Sequence, residues 1–372
     1  MNGPSRDPVA DATVYADPET PTGTLPSLGV VIVCFNSGDV ILDCLESLLA
    51  ATGVRLHIVV VDNASTDDSV ARIKDWASGA VPYMPPADLP FPLAVQPRPL
   101  PLVETHSPAA PPAAPQVLLL HAGLNGGYAA GVNAGLACLA KVAGVDRFWV
   151  LNPDSAVPSD TPRAFAEWGG PDLRFSLMGG RVNYLERPDT IQLDGGVINW
   201  RTGATRNVHQ GQLHRNCPAP DAAGIDFVSG ANMVASRQFY EARGPMREDY
   251  FLYYEEVDWA MQRGDLPLAW CPGGVIFHRA GTSIGSQKQG FVGSSFSLYF
   301  LHRNRLRFLG RHRPGSTLTA HAFSVAKACQ VLLKGHPHEA RVLLQASLGL
   351  PPPPAVRRRL SPQAARVAFG RA

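Results

Sequence analysis

The sequence predicts an α/β protein built on a mostly parallel sheet with flanking helices, an antiparallel extension and C-terminal helices. Three observations carry this. Residues 28–35 (LGVVIVCF) and 56–61 (LHIVVV) are apolar, largely β-branched runs of the kind that bury on both faces of a central parallel strand. Each run ends in a polar turn followed by helix-spaced apolar residues. Residues 173–208 then alternate more and carry Gly-Gly and Thr-Gly turn signals, as antiparallel strands do.

In chain order, residues 1–27 are rich in Pro, Asp and Thr and read as a flexible tail. After the first strand, Asn36-Ser37-Gly38 forms a turn, and from Asp39 a helix places Ile41, Leu45, Leu48 and Leu49 on one face. The second strand ends in DNASTDDS, where Ser65, Thr66 and Asp67 supply turn chemistry and helix-capping oxygens for a helix over 67–76. Between residues 81 and 115, twelve of 35 residues are proline, so the segment reads as an extended surface insertion before a strand at 116–120. A Gly-rich turn then opens a helix (HAGLNGGYAAGVNAGLACLA), and RFWVLNPDS is a strand running into a polar turn. DFVSGANMVASRQFYEARG gives one more strand and helix. A helix over 255–263 and a strand over 268–271 come next, and residues after Ser294 are helical, with breaks at Pro314 and Gly335–Pro337.

The chain has 372 residues, 45% hydrophobic and 17% charged, enough for a substantial core and without the charge excess of a disordered chain. A net charge of +2 gives no basis for nucleic-acid binding. The basic residues do cluster late, in RNRLRFLGRHR and in Arg357, Arg358 and Arg359; a solvated face explains them, as does contact with anionic lipid or a diphosphate. Six cysteines without a CxxC pair suit a reducing compartment and argue against a structural zinc. No apolar signal segment opens the chain and no run reaches ~18 apolar residues, so a cytoplasmic location is expected.

Four groups of residues could carry chemistry. Asn152 and Asp154 flank Pro153 at a strand end; Asp154 suits a hard cation, although an Asx-Pro turn explains the motif equally well. Glu255, Glu256 and Asp258 crowd three carboxylates into four residues, which is either helix-start capping or a carboxylate set with one raised pKa acting as a general base. His278, after a strand, is a structural histidine or a metal ligand. The glycines of LNGGYAAGVNAG precede a helix like a phosphate cradle, but lack the Lys of a P-loop and the spacing of a dinucleotide fingerprint.

Taken in order, VVIVCFNSGDVILDCLESL, VVVDNASTDDS, NGGYAAGVNAG, LNPD, FVSGANMV, FLYYEEVDWAMQR, FHRAGTS and YFLHRNRLRF resemble blocks of the inverting family 2 glycosyltransferases of the GT-A fold. The similarity is to the rhamnosyltransferase-like bacterial branch that builds polysaccharides, and it spans about residues 28–308. It implies a GT-A domain over 28–312, a Rossmann-like mostly parallel sheet, with the insertion at 81–115 and a helical, basic C-terminal extension at 313–372. It places a nucleotide-diphosphate sugar on Phe35, Asn36, Asp62, Asn125, Gly126, Gly127, Asn152, Asp154 and Arg303, with Asp62 reading base and ribose. Asn152 stands where the family's DxD motif has its first Asp, leaving Asp154, joined by His278, to hold Mn²⁺ or Mg²⁺. Glu256 falls at the catalytic base, with Glu255 and Asp258 beside it. Asn304 belongs with Arg303 to a block assigned loosely to donor phosphates or acceptor lipid. The implied acceptor is a glycan or a polyprenyl-diphosphate-linked glycan, with rhamnose as the suggested sugar and the basic C-terminal segment as a peripheral contact at the inner face of the plasma membrane. Two rivals are a nucleotide-sugar-binding regulator without catalysis and a nucleotidyltransferase. The second would want a basic Gly-rich loop after the first strand, and CFNSGD has no basic residue.

Overall fold

The computed structural model describes residues 25–279 and 293–370. The expectations for residues 1–24 and for Ala280, Gly281, Thr282 and Ser283 of the FHRAGTS block lie outside the described residues. The first half runs β1 (Ser27–Cys34), α1 (Ile41–Leu49), β2 (Arg55–Asp62), α2 (Ser69–Ser78), β3 (Leu102–Thr105), β4 (Val117–His121), α3 (Tyr128–Leu139), β5 (Arg147–Leu151), β6 (Ser155–Ala156) and α4 (Thr161–Glu167). The extension follows as β7 (Leu177–Gly179), β8 (Val182–Tyr184), β9 (Arg187–Leu193), β10 (Gly196–Ile198) and β11 (Thr205–Asn207). Next are β12 (Asn232–Ser236), α5 (Arg237–Arg243), α6 (Glu255–Met261), β13 (Ala269–Trp270) and β14 (Ile276–His278). The chain then turns helical in α7 (Ser295–His312), α8 (Thr317–Leu333), α9 (Pro337–Ser347), α10 (Pro354–Arg357) and α11 (Pro362–Phe369).

Eight strands form one mixed sheet in the order β13-β7-β12-β5-β1-β2-β4-β3. Only β12 runs against its neighbours, β5 and β7. A four-stranded sheet, β6-β14-β8-β9, lies alongside. This is the Rossmann-like mixed sheet with flanking helices that the GT-A expectation describes. The apolar runs of β1 and β2 are explained by their two faces. Val31, Val33, Val59 and Val61 pack with Val132, Leu136 and Leu139 of α3, while Val30, Ile32, Ile58 and Val60 pack with residues of α1 and α2. Each such side chain contributes about 1.5–3 kcal/mol on burial, so alternate residues cannot be polar on either side.

The proline-rich segment corrects the expectation of a loop hung on the surface. Residues 102–105 contain no proline and form β3, pairing in parallel with β4 at the sheet edge, where only one side needs a ladder. Leu100 is buried in the core, its N–H bonds to the Ala77 carbonyl at 2.7 Å, and the Ala114 N–H bonds to the Leu56 carbonyl at 2.8 Å. Arg98 ion-pairs with Glu46 of α1, whose side chain is wholly buried. The insertion is bolted to the domain.

The C-terminal extension is likewise continuous with the sheet domain. Phe251 and Leu252 pack with Phe296, Tyr299 and Phe300 of α7, Val342 and Ala346 of α9, Val356 of α10 and Ala368 of α11. Among the described residues, no helix is long and apolar enough to cross a membrane. All six cysteines are free, and five are buried.

Candidate active site

At the carboxyl ends of β1, β2 and β5 lies a cavity of about 360 Å³. Its floor comes from Phe35, Ser37 and Asn63, which follow the first two strands, and from Asn125, Gly127 and Tyr128 at the start of α3. One wall is Asn152, Pro153, Asp154, Gln192 and His278; another is Ser229–Ala231 with Glu255 and Glu256. Phe251, Leu252, Tyr253 and Phe296 close it, together with Arg359 and Leu360 of the C-terminal extension.

The second sheet brings Asp154 and His278 together. β14 pairs with β6 so that His278 stands opposite Ser155, the residue after Asp154. His278 Nε2 lies 3.0 Å from Asp154 Oδ1 and 3.1 Å from Asn152 Nδ2, and its Nδ1 lies 3.0 Å from Gln192 Oε1. The Gln192 oxygen calls for a proton on Nδ1, which turns the Nε2 lone pair toward the carboxylate. Two acceptors facing one another need a proton or a cation between them. Asp154 accordingly raises the His278 pKa against the opposing effect of burial. The 3.0 Å separation also matches two adjacent ligands at about 2.1 Å in an octahedral shell, so this donor set fits a divalent ion of the Mg²⁺ or Mn²⁺ kind. A second grouping, Asp194, His209 and Cys217, has ligand atoms within 4.8 Å of one another. Its carboxylate is already bonded at both oxygens by Arg181, at 3.0 and 2.7 Å, and that fixed guanidinium opposes a cation.

Glu255 and Glu256 begin α6, directly after a strained turn. Phe251, Tyr253 and Tyr254 all have positive φ (66°, 68° and 75°), which costs of order 1–3 kcal/mol for each such residue. Gly127 makes room for this turn. With φ of 94° it adopts a conformation other residues rarely reach, and a Cβ there would sit 2.4 Å from the Phe251 carbonyl oxygen. Instead, the Tyr128 N–H bonds that oxygen at 2.8 Å. Glu255 is 3% exposed and its Oε2 has no hydrogen-bond partner. Burial, followed by the neighbouring Glu256, raises its pKa well above the ordinary range, whereas burial raises that of Glu256 more moderately. Both carboxyls are thus held toward the protonated form, and the pair does not readily carry two charges.

Several expected residues stand elsewhere. Asp258 does not line the cavity: Tyr250, His312 and Gln262 bond its carboxylate at 2.9, 2.7 and 2.7 Å, and these bonds pull its pKa down against burial. It is a structural anchor, tying α6 to Tyr250 and to His312 at the end of α7. Arg303 is buried on α7 and bonds the carbonyls of Tyr250 and Ala368, so it does not reach the cavity. Asn36 is exposed and ties the first turn to the second, its Oδ1 accepting from the Thr66 N–H at 2.7 Å. Asp62, at the end of β2, accepts from the Ser65 N–H at 3.0 Å. Asn36, Asp62 and Gly126 are not among the residues lining the cavity. The other glycines of the expected phosphate cradle serve packing: a Cβ on Gly131 or Gly135 would meet Val33 or Val31 at 2.6 or 2.4 Å.

Among the lining residues without an assigned role in the sequence, two make defining contacts. Asn63 donates to Asn125 Oδ1 and the Gly127 carbonyl at 3.3 and 3.0 Å, joining the β2 end to the glycine turn. Tyr128 donates to the Gly230 carbonyl at 2.7 Å, and burial with the charges of Glu255, Glu256 and Asp154 raises its pKa. Only their place inside recognisable blocks pointed to them.

Residues 29–86, from β1 through α2 into the insertion, match the model of the glycosyl transferase family 2 family. No curated protein matches the chain at a significant level. Among solved structures, the chain is similar to a mannosyltransferase from Pyrobaculum calidifontis in complex with GDP-Man and Mn²⁺, at 14% identity over 87% of each chain with a TM-score of 0.46. It is also similar to residues 1–349 of TarS from S. aureus, at 11% identity over 92% of this chain and 83% of that one, with a TM-score of 0.48. A third similarity, to glucosyl-3-phosphoglycerate synthase from Mycobacterium tuberculosis with Mn²⁺ and UDP-glucose, has 14% identity over 68% and 71% of the chains and a TM-score of 0.36.

Proposed function

We propose that the chain is a metal-dependent, inverting glycosyltransferase that moves a sugar from a nucleotide diphosphate to a hydroxyl of a growing glycan or lipid-linked glycan. The observation that carries this is one cavity with two unlike walls: a cation-type donor pair, Asp154 and His278, and a buried carboxylate pair, Glu255 and Glu256. The family model over residues 29–86 supports the same reading for the nucleotide edge, where Asp62 would meet the base and ribose.

A divalent ion on Asp154 and His278 would supply charge neutralisation for the departing diphosphate. Glu256 acts as base, taking the proton of the acceptor hydroxyl as its oxygen forms a bond to the anomeric carbon. The bond from that carbon to the diphosphate oxygen breaks, its electron pair leaves with the nucleotide, and a single in-line displacement inverts the centre. Burial raises the pKa of both carboxyls of the pair, so Glu255 beside Glu256 keeps the two from ionising together. Phe35, Asn125 and Gly127 line the donor side. Arg359, which enters the same cavity, is the residue of the C-terminal basic cluster placed to meet an anionic donor or acceptor group. Rhamnose is the sugar suggested by the sequence resemblance, and the free thiols suit a reducing cytoplasm.

The test is release of nucleoside diphosphate from a panel of nucleotide sugars, with chelator or added Mn²⁺, by wild type and Glu256→Gln. Chelator should abolish release and Mn²⁺ restore it, while Glu256→Gln should bind donor as wild type does and turn over at least 100-fold more slowly. Chelator-insensitive release, or full turnover by Glu256→Gln, refutes the corresponding part.

A further inference from the structure

Asn304 lies on α7, does not line the cavity and has no exposed surface. Its side chain nevertheless reaches the turn that delivers the glutamate pair. Nδ2 stands 2.8 Å from the Tyr250 carbonyl, 2.7 Å from that of Leu252 and 3.0 Å from that of Tyr253. Its Oδ1 accepts from Arg303 Nε at 3.0 Å, which fixes which end of the amide faces the turn. Arg303 in turn donates to the Tyr250 carbonyl at 2.8 Å and to the Ala368 carbonyl of α11 at 2.6 Å, with its guanidinium over the Phe300 ring.

The carbonyls of residues 250–254 can be accounted for completely. Asn304 takes 250, 252 and 253; the Tyr128 N–H takes 251; and the Asp258 N–H takes 254 at 2.8 Å. The two protons of this one amide, shared among three carbonyls, are therefore the side-chain bracket on a turn that keeps Phe251, Tyr253 and Tyr254 in left-handed conformations. Directly after them come Glu255 and Glu256.

We propose that Asn304, oriented by Arg303, is a positioning residue for the Glu255–Glu256 pair: it sets where the two carboxylates stand in the cavity without touching anything bound there. The proposal rests on the glycosyltransferase reading only for what the pair does. The bracket itself is a statement about the turn. It makes Asp a worse replacement than Ala. Asp is isosteric with Asn but would set an oxygen against three carbonyl oxygens, whereas Ala merely leaves them unbonded.

The experiment compares Asn304→Asp, Asn304→Ala and Arg303→Lys by three readouts: amide hydrogen exchange resolved by segment, calorimetric binding of a nucleoside diphosphate with Mn²⁺, and turnover with the best donor of the panel. Exchange over 251–256 should rise in all three variants while β1, β2 and β5 stay protected. Nucleotide Kd should stay within threefold of wild type. Turnover should fall about 100-fold in Asn304→Asp and about tenfold in Asn304→Ala, since a displacement near 1 Å costs that order of rate. A general loss of protection across the sheet, or Asn304→Asp at least as active as Asn304→Ala, overturns the proposal. If Asn304→Asp does not fold, wild-type-like exchange over 251–256 in both Asn304→Ala and Arg303→Lys overturns it, and a localised rise supports it. Failure of wild type to bind nucleotide would sink the glycosyltransferase reading while leaving the exchange result to decide the bracket.

Discussion

Replacing Arg98 with alanine tests how firmly the proline-rich insertion is bound to the domain. Glu46 of α1 is wholly buried, and its carboxylate accepts from Trp76 Nε1 at 3.0 Å and the Gln96 N–H at 3.3 Å besides pairing with Arg98. The guanidinium also covers the Trp76 ring at 4.7 Å. Removing it leaves two neutral donors on a buried charge, a loss that costs about 3–5 kcal/mol for a buried pair broken from one side. Arg98 itself keeps 16% of its side chain exposed, so water softens the loss toward about 3 kcal/mol. At roughly 2 °C per kcal/mol for a chain of this size, Tm should fall by about 6 °C. Urea unfolding should show a lower midpoint with an unchanged slope. Adding Glu46→Gln should recover most of the loss, because the amide oxygen still accepts from Trp76 and no charge is stranded. A cost under about 1 kcal/mol for Arg98→Ala, or no recovery in the double variant, would refute the argument and restore the picture of a loosely hung loop.

Three other outcomes follow from the cavity. Glu255 has a folded-state pKa raised well above 4.5, so the stability it confers is full below that pH and is lost as pH rises through the folded value; Glu255→Gln should be the more stable protein at neutral and alkaline pH, and equal melting curves from pH 5 to 9 would contradict this. Gly127→Ala forces a Cβ into the Phe251 carbonyl, so turnover should drop about 100-fold as the turn shifts, and wild-type turnover would show that the turn tolerates the movement. Asp154→Ala and His278→Ala should each raise the Mn²⁺ concentration for half-maximal nucleotide binding, with the double variant losing less than the sum; strictly additive losses would separate the two residues.

The sheet could be read from the sequence because β1 and β2 bury both faces, which leaves an unbroken apolar run as its signature. The insertion could not, since proline density hid the four proline-free residues of β3, and an edge strand needs a partner on one side only. Asp154 and His278 were each legible as isolated candidates, but their 3.0 Å approach depends on the β6–β14 pairing across more than a hundred residues, which no local pattern announces. Arg303 looked like a ligand-binding cation for the same reason: its partners are main-chain carbonyls 53 and 65 positions away, and carbonyls leave no trace in a sequence. Asp258 illustrates a further limit. A cluster of three carboxylates does not say which members face the cavity: Asp258 is claimed by Tyr250, Gln262 and His312, and the His312 partner is 54 positions away.

The bond from Arg303 to the Ala368 carbonyl has a consequence for how the molecule comes into being. Among the described residues, every strand has been synthesised once His278 has left the ribosome, and domains fold as their N-terminal parts emerge. The carbonyls of residues 250, 252 and 253 have not yet met their side-chain donors at that point, because Asn304 and Arg303 follow later and the α11 carbonyl later still. Arg359 and Leu360, which close the cavity, are also made after the sheet. A nascent chain thus owns its strand-end contacts well before Asn304 can bracket the turn or Arg359 and Leu360 can close the cavity.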